Sequence, residues 1–276
     1  MAWKPLELLD RAIIDRETRE RVDRLAVDWN PYGIDPFGAS KDDVARMYTI
    51  LGWFYRNYFR VTVSGIEHVP AAGRAMLVGN HSGGFAVDAM MVLTSVFLEL
   101  EPPRLAQGMA EKFLARLPFS AALTARSGQL TGLPEHATRL LEADRLLMVF
   151  PEGARGTEKL YGDRNRLVRF GTGFVRLALQ TGTPIIPFGF LGGGEAVPTV
   201  MNLYGLGRLL GVPYIPVTKY IVPVPRPVPL EIYYSEPMVF DGTGNEEDEV
   251  IVGYVDQIKQ RISGLIDAGY RRRVGG

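Results

Sequence analysis

The stretch GNHSGGFAVDAMM (79–91) places His81 seven residues before Asp88, with a glycine pair between them. An imidazole can take up and return a proton near neutral pH. A carboxylate bonded to one ring nitrogen fixes the tautomer and supports the charge formed when the other nitrogen is protonated. Such a pair activates a hydroxyl. A second candidate lies in FPEGARG (150–156), where Gly153 frees the backbone and Glu152 and Arg155 stand on one turn. A carboxylate and a guanidinium there can position a polar head group, or form only a structural ion pair. The third is TPIIPFGF (183–190), whose two prolines read as an edge strand or a pocket wall that includes Pro187.

Spacing sets a condition on the first pair. In a continuous helix, seven residues rise about 10 Å, too far for a hydrogen bond. His81 and Asp88 can meet only if Ser82, Gly83 and Gly84 form a turn and the helix begins after it. Asp88 could also serve only as a helix cap. His68 and His136 have no motif around them and read as surface or helix-start residues.

The segments around these residues alternate in character. Strand-like runs fall at 59–65, 75–79, 146–150, 184–190 and 230–234, and helical runs at 88–100 and 173–182. Ser40 and Asp43 mark a helix start. The following helix carries Val44, Met47, Tyr48, Leu51, Phe54, Tyr55 and Tyr58 on one stripe. A last helix begins after NEEDE (245–249) and ends at RRR (271–273), its charges matching the macrodipole. This pattern predicts an α/β fold: a mixed, largely parallel sheet flanked by helices. His81 and Glu152 both follow strands, where open α/β sheets gather ligands. Residues 1–38 read as an amphipathic leader and 39–276 as a single domain. The apolar, Pro-rich segment 196–229 is expected to pack beside the sheet, over its open edge, or at a lipid entrance.

Composition narrows the function. Lys plus Arg and Asp plus Glu are 31 each, which argues against a general nucleic-acid binder. The absence of Cys removes thiolate nucleophiles and thiolate metal sites, and no metal site is expected. The first residues, MAWKPLELLDRAIIDRE, carry too many charges for a signal peptide, and no stretch reads as a membrane span. GTGFVRLA has Arg176 in place of a dinucleotide fingerprint's third glycine. Lys159, Arg164, Arg166 and Arg169 read as a solvated face, or as a contact for phosphate.

The order GNH…D, FPEGARG, PIIPFGF resembles the glycerolipid acyltransferases, over roughly residues 59–240. That resemblance implies a mixed αβ fold and transfer of a fatty acyl group from acyl-CoA or acyl carrier protein to a hydroxyl, with no other cofactor. It implies His81 as general base, Asp88 as its orienting partner, and Ser82, Gly83, Gly84, Glu152, Gly153, Arg155 and Pro187 around the substrate. The partners are then an acyl thioester, a lipid acceptor and a membrane surface, and the location the cytoplasm, at the inner face of a membrane. Four residues separate His and Asp in most of the family, and six do here, with Ala86 where the acid would fall. The longer spacing resembles the branch that acylates mono- and diacylglycerols. Arg126 precedes the glycines of ARSGQLTG rather than following them, which weakens the case for a phosphorylated acceptor and leaves both a lysophospholipid or lysophosphatidate and a mono- or diacylglycerol open. The alternative reading is a non-catalytic lipid-binding or transfer protein on the same fold.

Overall fold

The computed structural model describes residues 14–83, 86–110, 124–221 and 224–275. Gly84 and the first thirteen residues of the leader lie outside them. Helix α1 (Arg16–Asp23) is followed by α2 (Lys41–Trp53), which widens into a π-turn at Phe54–Tyr58. Then come β1 (Thr62–Ser64), β2 (Ala75–Gly79), α3 (Val87–Glu99), β3 (Ala106–Ala110) and β4 (Leu130–Thr131). Helix α4 (Pro134–Glu142), β5 (Leu146–Val149), α5 (Gly173–Thr181) and β6 (Ile185–Leu191) continue the alternation. The chain ends with β7 (Thr199–Leu203), β8 (Ile215–Thr218), β9 (Glu231–Tyr234) and the long α6 (Asp248–Gly275).

Among the described residues the main sheet has the order β1-β9-β6-β2-β5-β3-β4. Every neighbouring pair is parallel except β6 with β9. Both faces are covered, which is why β2 and β6 are buried along their whole length. Leu77, Met148, Ile186 and Phe188 face α2 and α3, where Tyr48 stacks on Phe97 at 4.0 Å. Met76, Val78, Leu147 and Ile185 face α4, α5 and α6, meeting Leu140, Val175, Ile258 and Ile262.

Several sequence expectations need correction. The edge-strand reading of TPIIPFGF fails: β6 lies between β2 and β9. The carbonyl of Pro187 accepts from Ser235 N at 2.8 Å, just past the last residue of β9. Its missing N–H faces the same side, so the lost bond falls where that ladder already ends. The segment 196–229 holds a separate antiparallel hairpin, β7–β8, whose Pro216 pairs with Asn202. Ser40 does cap α2, accepting from Asp43 N at 3.4 Å, but the Asp43 carboxylate turns to Arg46 and Arg126. The short β3, β4 and α4 were not expected.

Candidate active site

Strand register builds the site. Val78 of β2 pairs with Val149 of β5, so three residues further on His81 stands beside Glu152. The loops leaving two parallel strands thus emerge together, and the His81 amide donates to Glu152 Oε1 at 2.9 Å. Asn80 ties the same loop to β6: its side chain donates to Phe190 O at 2.9 Å and accepts from Phe190 N at 2.7 Å.

Beyond His81 the chain bends. Gly83 has φ +84°, and a Cβ there would sit 2.8 Å from the carbonyl oxygen of Gly193. Ala86 is also left-handed, at φ 51°, and α3 starts at the next residue. The bend brings Asp88 back: its Oδ2 lies 2.6 Å from His81 Nδ1. The same oxygen accepts from Ser82 N at 2.6 Å, and Oδ1 accepts from Ala89 N at 2.8 Å. A carboxylate only accepts, so Nδ1 carries the proton and Nε2 keeps its lone pair. The Asp88 side chain is fully buried, whereas that of His81 retains 12% exposure. The acid is therefore shielded from solvent while the ring remains reachable. Phe150 stacks on the imidazole at 4.1 Å and 16°, and Phe188 meets Phe150 edge-on.

Glu152 occupies a different place from the one expected. Its side chain is fully buried and bonds Lys159 Nζ at 3.0 Å and Val168 N at 3.0 Å, besides His81 N. It clasps three stretches of backbone and side chain together, and its ion-pair partner is Lys159, not Arg155. Lys159 is itself buried, and Arg164 bonds Glu195 at 3.0 Å. Of the four basic residues read as a solvated face, Arg166 and Arg169 are exposed as expected.

The remaining expected residues divide. Arg155 is exposed and makes no hydrogen bond or ion pair among the described residues. Next to it, Gly156 lies against the histidine: a Cβ there would stand 2.6 Å from His81 Cβ. Gly153 takes φ 58°, ψ −152°, a conformation glycine tolerates, and turns the chain after β5. Ser82 is buried; it gives Asp88 its amide, and its hydroxyl packs toward Gly193. Pro187 is not at the site. It shares a strand face with Ile185, away from the Phe188–Phe150–His81 stack. The amides of His81 and Ser82 are both occupied, so they are not free to bind an oxyanion.

His81, its buried partner Asp88 and the flanking Phe150 thus stand together at the ends of parallel strands. The family model described as Acyltransferase matches residues 60–191, spanning both loops. An uncharacterized protein of Mycobacterium tuberculosis strain H37Rv is 34% identical over 84% of this chain and 68% of its own length. The chain belongs to the glycerolipid acyltransferase family. A more distant relative, the "DGAT1/2-independent enzyme synthesizing storage lipids" of Homo sapiens, is 24% identical over 76% of this chain and 61% of its own. The family fold is seen in the crystal structure of the 1-acyl-sn-glycerophosphate (LPA) acyltransferase PlsC from Thermotoga maritima. That structure matches with a TM-score of 0.56 and 16% identity, covering 83% of this chain and 81% of the other.

Three residues of the site were not among the catalytic or substrate-binding residues expected from the sequence. Lys159, Phe150 and Tyr214 act through position: Tyr214 donates to Thr157 Oγ1 at 2.6 Å, and burial pushes its phenol up to about 12. Phe150, inside FPEGARG, and Asn80, inside GNH, stood in stretches the sequence marks.

Proposed function

We propose that the protein transfers a fatty acyl group from an acyl thioester, of coenzyme A or of acyl carrier protein, to the hydroxyl of a glycerolipid or long-chain alcohol at a membrane surface. The observation that carries the mechanism is the 2.6 Å contact between His81 Nδ1 and Asp88, which leaves Nε2 as the base. Nε2 takes the acceptor's hydroxyl proton as its oxygen attacks the thioester carbonyl. Asp88 supports the imidazolium. The tetrahedral intermediate expels the thiolate, which receives the proton from Nε2, leaving ester and free thiol. No acyl-enzyme forms: Ser82 Oγ is buried without a hydrogen-bond partner, and NHSGG is not a G-x-S-x-G elbow. Arg155, exposed on the turn whose Gly156 lies against His81, is assigned to the acceptor or the developing oxyanion.

An acceptor without phosphate fits best. Arg126 is engaged by Asp43 and Arg164 by Glu195. The storage-lipid enzyme among the relatives agrees with this reading. The test is a panel of acceptors with labelled acyl-CoA: monoacylglycerol, diacylglycerol, fatty alcohol and lysophosphatidate. Product with the neutral acceptors, reduced about 10²–10⁴-fold in a folded His81→Ala variant, is expected. Full activity of that variant would remove His81 as the base. A lipid carrier on the same fold would bind these acceptors and form no product.

A further inference from the structure

We infer that the β7–β8 hairpin and the chain just after it form a docking surface for an anionic lipid bilayer, seated beside the turn that lies against His81. The inference rests on the proposed reaction only for its biological purpose; the surface itself is argued from structure.

A lone pair of strands is not stable in water and must rest on something. This hairpin rests on the turn beside His81. Asn202 Nδ2 donates to Glu158 O at 2.6 Å, and Tyr214, buried, bonds Thr157. Its other side is apolar and open. Met201, Leu210, Tyr220 and Val224 are at least half exposed, Leu209 is 80% exposed and Ile221 82%. So many large apolar side chains on one short segment mark an interaction surface.

Charge selects the partner. Residues 196–229 contain Arg208, Lys219 and Arg226 and no Asp or Glu, in a chain whose overall charge balances. Apolar side chains interspersed with unopposed cations match a bilayer with anionic head groups. A two-fold contact with a second copy would set the same cations against one another, which disfavours self-association. The surface also continues into an aromatic rim. Tyr58 OH donates to Pro225 O at 2.7 Å, and the ring of Trp53, itself exposed, lies 6.4 Å from that of Tyr58. Trp and Tyr favour the head-group region. A lipid hydroxyl could then reach His81 without leaving the membrane.

The chain has no cysteine, so single labels are unambiguous. Leu209→Cys, Ile221→Cys and, at the opposite end of the sheet, Glu142→Cys each receive an environment-sensitive fluorophore. Each is mixed with vesicles of phosphatidylcholine alone or with phosphatidylglycerol. Blue shifts at 209 and 221 but not 142 are expected, with binding to the anionic vesicles about a hundredfold tighter for the three cations and weakened by salt. A Leu209→Glu/Ile221→Glu variant should keep its melting temperature and lose vesicle binding. It should retain transfer to a water-soluble short-chain acceptor. Vesicle binding unchanged in that variant, or no shift at 209 and 221, overturns the inference. So does a wild-type dimer that the variant breaks, which would assign the surface to a second copy. Absent short-chain transfer by the wild type would count against the reaction alone, and the vesicle data would still decide docking.

Discussion

Replacing Asp88 by Asn separates the two jobs its carboxylate can do. Oδ2 takes both the His81 Nδ1 proton and the Ser82 amide, while Oδ1 takes only the Ala89 amide. An Asn side chain with its oxygen in the Oδ2 position keeps the first two bonds and turns its NH2 toward Ala89 N–H. The opposite orientation leaves the Ser82 amide unmet and forces His81 Nδ1 to accept, moving the proton onto Nε2. The Ser82 bond is the more deeply buried of the two, so the first orientation should dominate. Folding then loses one partly buried hydrogen bond, about 1 kcal/mol, visible in urea denaturation. Catalysis loses the negative charge that supports the imidazolium. We expect kcat to fall about 10²–10³-fold, about 3–4 kcal/mol, measured as thiol release from an acyl thioester with saturating acceptor. A population of the flipped amide would deepen that loss toward about 10⁴. If kcat stays within about threefold of wild type while stability drops by that 1 kcal/mol, Asp88 is a cap for the turn and helix and nothing more.

Lys159→Met should destabilise the fold by about 3–5 kcal/mol in denaturant titration, because it leaves the buried Glu152 carboxylate without its cation; the double variant Glu152→Gln/Lys159→Met should recover part of that loss. Gly156→Ala puts a methyl 2.6 Å from His81 Cβ and 2.9 Å from Glu152 Cβ, so kcat should fall with acceptor KM little changed, at about 1–3 kcal/mol of stability. Arg126→Ala should leave the KM for a neutral acceptor within about twofold, since that guanidinium is paired with Asp43 and a surface pair contributes little; a tenfold rise would make Arg126 an acceptor ligand.

The sequence was informative where local chemistry decides. The run AMLVG became β2 without change, Gly182 closes α5 in a left-handed conformation, and the His81–Asp88 contact follows from a bend to which Gly83 contributes. It was silent where the answer depends on register between distant strands. Nothing in FPEGARG says that Glu152 turns inward to the His81 amide, because that follows from Val78 standing opposite Val149. Arg155 was the natural partner by proximity, yet Lys159, one loop further on, takes the place. The prolines of β6 misled because an edge is only one way to forgo a donor; the end of a neighbour's ladder is another. AQGMA was missed as β3 because it is short, lacks alternation and contains Gly. Helix α4 did carry a signal, a proline at its first turn followed by Ala137, Leu140 and Leu141 on the buried side.

The carboxylate of Glu152 is a single joint shared by three parts of the chain: the loop of His81, the loop of Val168 and the ammonium of Lys159. Such a joint makes those stretches mutually dependent. Once any one of its arms is cut, the others have less left to lose, so pairs of changes at Lys159 and around Val168 should combine to less than their sum. Drift in this protein should therefore be penalised mainly at the first step, whichever loop takes it, and the alignment of the base becomes a collective property of residues that never touch it.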